Sequence, residues 1–329
     1  MKNTTPLLTT LAFLPFITHA ELADKGGFSG EISVIGGVTS TDSNLSTSNN
    51  ETKSAPLNSV GDRKTDSFLG ALGNLSFTFG QGLDKQLFVG TSRDDIAVGI
   101  IALEMGYKQE LASGTQISFS YLPTVLAEDV WANPFTLGSP RTETEKSGDA
   151  YRLKLDRIGG SMLSIDLAYA QTDVDNEQSG AGQGLSNAEQ QRLDRNSDTF
   201  YSKLGYRQFL GKGQGISPAF IYINNDADGE AMSHQSYGGE LTYFSFAGRN
   251  NIVLTGKYHI RDYDASHPLF GETRSDTEYG AFLAYEYAHF FDIPPLSFIT
   301  LAGYNNTDSN IDFYDASEFF GSVGITYQF

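Results

Sequence analysis

The sequence predicts an all-β fold: an antiparallel transmembrane β-barrel of about fourteen strands, with twelve or sixteen as the neighbouring even counts. Three observations lead there. Segments of roughly ten residues alternate polar and apolar side chains with period two. The connections between them alternate between short and long. After the N-terminus, no uncharged apolar run reaches the ~20 residues that a spanning helix needs.

Composition removes the competing classes. Gly 35, Tyr 17, Phe 23, no Cys and a mean hydropathy of -0.28 exclude a helical membrane protein, a disulfide-stapled scaffold and a Cys-ligated metal or redox protein. Lys+Arg 22 against Asp+Glu 40 leaves a net charge of -18, a surface that repels nucleic acid. Residues 1–20 read as a signal peptide: Lys2 supplies the positive region, Pro6 to Ile17 the apolar core, and Thr18-His19-Ala20 the small-residue end. The mature chain, 21–329, then forms one barrel domain. Only Glu21 to Gly26 precede the first strand, too few residues for an N-terminal plug.

In chain order the strands fall near 27–39, 67–79, 86–92, 96–111, 115–126, 148–158, 162–172, 198–209, 215–224, 235–247, 251–261, 277–290, 296–307 and 316–329. The last is the clearest, with Phe319, Gly321, Val323, Ile325, Tyr327 and Phe329 on one face and Ser322, Gly324, Thr326 and Gln328 on the other. Val253, Thr255, Lys257, His259 and Arg261 alternate in the same way with Ile252, Leu254, Tyr258 and Ile260. Short turns at 80–85, 112–114, 159–161, 210–214, 248–250 and 291–295 alternate with long connections, and 93–95 is the one tight turn among the latter. Pro123 and Pro218 fall inside strands, where a missing N–H donor predicts a bulge or a strand end. Phe77, Phe79, Tyr107, Tyr169 and Tyr287 are candidates for the aromatic girdle at the short-turn end.

The face opposite the lipid-facing aromatics is the lumen. It receives Arg152, Lys154, Lys203, Arg207, Lys257, His259 and Arg261, and the acids Glu31, Glu104, Asp156, Asp166, Glu240, Glu278 and Glu286. Two readings stay open. Opposed basic and acidic ladders can impose a transverse field that screens solutes in an open pore. They can equally pair across neighbouring strands and fill a narrow lumen, although fourteen strands leave more room than the eight that side chains fill. The long connection 127–147, with Trp131, Glu143 and Glu145, either folds into the mouth as a constriction or lies solvated on the surface.

Acidic motifs crowd the long-loop rim. TDSN occurs at Thr41 to Asn44 and again at Thr307 to Asn310, and barrel closure brings the two within a few strand spacings of ~4.8 Å. Asp42, Asp226, Asp228 and Asp308 are candidate oxygen ligands for Ca²⁺ or Mg²⁺, against the alternative of Asx-rich turns capping their own backbone. No other cofactor is expected. After the signal peptide only His234, His259, His267 and His289 remain, and none sits in a recognisable nucleophile–base signature, so a non-enzymatic barrel is expected.

The signal peptide, the aromatic-flanked strands and the terminal Tyr327-Gln328-Phe329 resemble Gram-negative outer-membrane barrel proteins. More narrowly, GFSGEISVIGG (27–37), LGNLSFTFG (72–80), GTSRDDIAVG (90–99), YRLKLD (151–156), NDADGEA (225–231), RDYDAS (261–266) and TDSNIDFYDASE (307–318) resemble an uncharacterised gammaproteobacterial domain-of-unknown-function family. The resemblance spans the mature chain. It implies an outer-membrane location after export, contact with lipid and lipopolysaccharide, and reading of the C-terminal Phe329 by the barrel-assembly machinery. It brings no catalytic residues. The functional expectation is a porin-like passive channel for ions or small polar solutes, with a surface-binding or structural barrel of plugged lumen as the alternative, and an outer-membrane hydrolase behind both.

Overall fold

The structure is a computed structural model, described for residues 22–48, 51–54, 56–124 and 128–329. The signal-peptide reading at 1–20 lies outside these residues. One antiparallel sheet contains β1 (Gly27–Thr41), β2 (Lys64–Phe79), β3 (Lys85–Thr91), β4 (Leu103–Glu110), β5 (Gln116–Pro123), β6 (Glu128–Trp131), β7 (Glu143–Asp156) and β8 (Leu163–Val174). It continues through β9 (Ser197–Tyr206), β10 (Gln208–Gly211), β11 (Gln214–Ala227), β12 (His234–Ala247), β13 (Asn250–Ser266), β14 (Thr273–Ala288), β15 (Leu296–Ser309) and β16 (Ala316–Gln328). β1 pairs with β16 from Glu31↔Gln328 to Thr41↔Glu318, so the sheet closes on itself and leaves no edge. β6 lies off the ring, and β10 continues β9, so the barrel has fourteen staves, as the alternation predicts.

The split of β9 from β10 has a covalent cause. The two pair with β11 in a single register, Ala219↔Gly205 before the break and Gln208↔Ile216 after it. Between them stands Pro218, which has no N–H to donate. Pro123 is the last residue of β5. Both prolines thus sit where a ladder stops.

Side chains facing away from the lumen form a continuous apolar belt. Leu69 is 81% exposed, Phe28 72% and Tyr151 62%, values that suit lipid and would be an aggregation liability in water. Phe77 stacks between Phe28 and Phe79 near the short-turn end, where Tyr107 and Tyr287 also lie. Tyr169 departs from the expected girdle. It lies well up β8 from the short turn, opposite Tyr151 and Phe200, and belongs to a higher band with Tyr121.

One connection differs from expectation in a way that matters for function. Residues 93–95 are not a tight turn and 96–102 are not strand. Ser92 accepts a hydrogen bond from the Asp95 amide at 3.3 Å and caps a short helix, α1 (Arg93–Ala97), and β4 starts only at Leu103. Ile96, Val98 and Ile100 imitate a strand's alternating face. Gly99 at φ +86° turns the chain instead.

The apolar interior is divided in two. In the lumen, Ile35, Leu72 and Leu301 pack with Ile96, Phe282 and Phe320. At the long-loop end, Phe135, Leu193, Ala231, Ile311, Phe313 and Tyr314 form a separate core, joined by Leu57, Leu185, Met232, Leu269 and Phe270. Every long connection except 92–102 contributes to this second core, which makes a packed cap over the long-loop end. Each of its large side chains contributes about 1.5–3 kcal/mol on burial.

Candidate functional site

The 92–102 segment turns into the lumen and bridges walls that lie nearly opposite in the strand order. On the β7 side, the Arg152 guanidinium donates to Asp95 at 2.6 and 3.0 Å and to Asp166 at 2.9 and 2.6 Å. Lys154 Nζ donates to Asp95 at 3.2 Å, and Glu104, which accepts from Ser120 Oγ at 3.0 Å, stands 3.7 Å from Arg152. On the other side, Arg93 pairs with Glu31 of β1 and lies 3.7 Å from Glu286 of β14. Asn74 Nδ2 donates to Glu31 at 3.2 Å, and Asn251 Nδ2 to Glu286 at 3.1 Å, which fixes both carboxylates from neighbouring strands. Ile96 completes the seat against Ile35, Leu72 and Leu301.

These contacts place an eight-charge cluster across the lumen, in which Arg93, Arg152 and Lys154 face Glu31, Asp95, Glu104, Asp166 and Glu286. Its net charge is -2 on formal count. Arg152 and Asp95 are each only 9% exposed at the side chain. Water therefore screens their attraction weakly, and breaking the pair would strand a charge.

The other expected luminal residues are placed as follows. Lys203 Nζ donates to Glu240 at 2.6 Å, across β11. Arg261 pairs with Glu278 at 2.6 Å and approaches Asp276 to 3.5 Å. Lys257 lies over Gly280, where an added Cβ would meet its Cε at 2.8 Å. His259 is buried beneath Gly238, the residue opposite on β12. Asp156 ends β7 opposite Gln116, and Arg207 is exposed in the break between β9 and β10. Lys203 and Arg261 thus pair with carboxylates on nearby strands.

The 127–147 connection, read either as a constriction or as a solvated surface loop, lies at the long-loop end in its described residues 128–147. Glu143 and Glu145 are exposed on the β6–β7 hairpin, opposite Trp131 and Asp129. Trp131 is 2% exposed and lies under the Arg141 guanidinium, 4.4 Å from its ring, with Nε1 donating to the Ser46 carbonyl at 3.1 Å. Phe135 of this loop joins the cap core, so its described residues pack across the long-loop end. The segment that does descend was hidden by its strand-like alternation. Its one sequence signal was Ser92 three residues before Asp95, a helix-start spacing.

The acidic rim residues are dispersed. Asp42 accepts from the Ser317 amide at 2.6 Å and pairs with Arg63, pinning the β1–β16 seam. Asp226 sits opposite Asp198, the Asp228 amide donates to the Asn196 carbonyl at 2.9 Å, and Asp308 lies opposite Thr277. Among the described residues no three His, Asp or Glu side chains gather as a metal-holding group.

The cap has its own polar framework. Arg274 donates to Asp276 at 2.9 and 2.7 Å and lies 3.5 Å over the Tyr314 ring. His267 is fully buried, with Nδ1 accepting from the Leu269 amide at 3.2 Å and Nε2 standing 2.9 Å from Tyr314 Oη. With Nδ1 an acceptor, the neutral ring carries its proton on Nε2 and donates to Tyr314. Burial, with Arg274 and Arg192 nearby, pushes the imidazole down to about 3. At the C-terminus, Phe329 exchanges two backbone hydrogen bonds of 3.0 Å with Gly30, and its ring faces outward.

Comparison with solved structures gives similar barrels at low identity. OprD of Pseudomonas aeruginosa is 11% identical, with 95% of this chain and 99% of that one covered and a TM-score of 0.38. OmpT of Vibrio cholerae is 9% identical over 94% and 100% of the two chains, with a TM-score of 0.42. OccAB4 of Acinetobacter baumannii is 11% identical over 93% and 99%, with a TM-score of 0.37. No curated protein matches the sequence. The model of a family described as protein of unknown function, DUF2860, matches residues 27–328, and the chain belongs to that family.

Proposed function

We propose that the protein is an outer-membrane channel through which small polar solutes, cations before anions, pass a constriction built by the 92–102 segment. The observation that carries this reading is the seating of Arg93, Asp95 and Ile96 between opposite walls of a fourteen-stave barrel. A barrel that served only to be filled would need no mobile-length loop ion-paired at both ends. The excess of carboxylates at the constriction, with the acidic rim above it, favours cations. Lipid and lipopolysaccharide surround the apolar belt, export precedes insertion, and the outward aromatic of Phe329 is the handle for the assembly machinery. No catalytic role is assigned: among the described residues His267 is bonded to Tyr314 and a backbone amide.

A second reading has its own support. The cap core gathers residues from six long connections over the mouth, as a plugged surface-binding barrel would. Planar-bilayer recording of the folded protein under a KCl gradient separates the two. Stable steps with a cation-biased reversal potential are expected. Silence from the wild type, and also from a folded variant lacking residues 93–98, would overturn the channel and leave the surface barrel.

A further inference from the structure

Directly beside α1, toward the short-turn end, the lumen contains a cavity of about 100 Å³. Its lining is mixed, with Arg93 and the hydroxyls of Ser33, Thr91 and Thr326 beside two further groups of residues. Glu31 and Glu286 contribute carboxylates, and Leu72, Ile96 and Leu301 contribute an apolar wall. The carboxylates are 11% exposed at the side chain and oriented by Asn74 and Asn251, whereas Arg93, the cation between them, is 28% exposed. Two negative charges in a poorly screened site repel unless a cation stands between them, and one guanidinium leaves the pair a net negative charge. Arg93 shows the chemistry the carboxylates accept: a planar cation whose N–H groups bond Glu31 and whose charge lies 3.7 Å from Glu286. A cavity of about 150 Å³ holds a benzene ring, and this smaller one suits a short aliphatic group.

We propose that this cavity is a binding site for a small organic cation, a guanidinium or ammonium on a short alkyl body. The charge sits between Glu31 and Glu286, and the alkyl part lies against Leu72, Ile96 and Leu301. Arg93 is the built-in competitor, tethered in place at high effective concentration. The site deepens the channel reading by naming the class of solute it would select, and it rests on that reading for the solute's passage through the barrel.

Isothermal calorimetry on the full folded barrel in detergent, with n-butylguanidinium as the probe, tests it. Saturable binding is expected for the wild type, stronger by about tenfold or more in Arg93→Ala because the competitor is gone. It should be lost in Glu31→Gln/Glu286→Gln and weakened in Leu301→Asn. If the double variant does not fold, the single variants Glu31→Gln and Glu286→Gln are each expected to weaken binding. No saturable heat in either wild type or Arg93→Ala, or equal binding after the carboxylates are neutralised, would overturn the proposal. Conductance is read separately on the same preparations. A barrel that binds the probe but passes no current keeps the site and loses the channel, and one that conducts without binding does the reverse.

Discussion

Asp95 is the point where α1 is tied to the β7 wall, and Asp95→Asn is the perturbation that tests whether the segment is a latch. The carboxylate accepts two hydrogen bonds from Arg152 and one from Lys154. Asparagine keeps one acceptor oxygen and turns an NH₂ toward the guanidinium. Orphaning a buried charge costs about 3–5 kcal/mol, but Arg152 keeps its two bonds to Asp166, so that range is an upper bound. Charge-assisted bonds contribute about 1.5–3 kcal/mol, and roughly one is lost outright, giving an expected loss of about 2–3 kcal/mol. That shifts the seated-to-released equilibrium of α1 by roughly 30- to 150-fold at ~1.4 kcal/mol per tenfold. Planar-bilayer recording should show a larger or more fluctuating conductance than the wild type. Heat-modified gel mobility and the thermal midpoint of the sheet should hardly change, since no strand pairing involves Asp95. Asp95→Glu should stay near the wild type. Traces of Asp95→Asn that superimpose on those of the wild type, from a barrel shown to be folded, would refute the latch.

Three further outcomes follow from particular contacts. Gly99→Ala should unseat α1 without touching a charge, because φ is +86° and the new Cβ would meet Phe282 at 3.0 Å; faster proteolysis of 92–102 checks it. Phe313→Ala should loosen the cap by about 3–5 kcal/mol, read as hydrogen-exchange protection lost in the long loops while the strands keep theirs. His267 titrates well below its ordinary value in the folded cap, so the opened cap binds the extra proton between pH 6.5 and about 3, and cap stability falls as pH falls through that window. The slope is at most about 1.4 kcal/mol per pH unit. Loop exchange measured across pH 7.5 to 4 should show it, and His267→Asn should flatten it; equal slopes in both proteins would put the acid sensitivity elsewhere.

What the chain alone determined is the barrel. Strand pairing reads one local rule, the period-two alternation, and lipid on one side of a closed sheet makes that rule strict. It therefore located the fourteen staves, the short-turn and long-loop ends, and the sites of Pro123 and Pro218. Only the tertiary structure decided which inward charges meet. Those partners come from elements far apart in sequence, as when Arg93 of α1 meets Glu286 or Asp95 of α1 meets Arg152. It also decided which loop descends. Ile96 to Ile100 alternates like a strand, yet its apolar side chains have a better place against Ile35, Leu72 and Leu301 in the lumen than on the lipid face. From the 127–147 loop, Phe135 joins Phe313, Ile311 and Leu193 above the mouth. Local periodicity says whether a side chain points inward; what it meets there depends on contacts that exist only once the ring is closed.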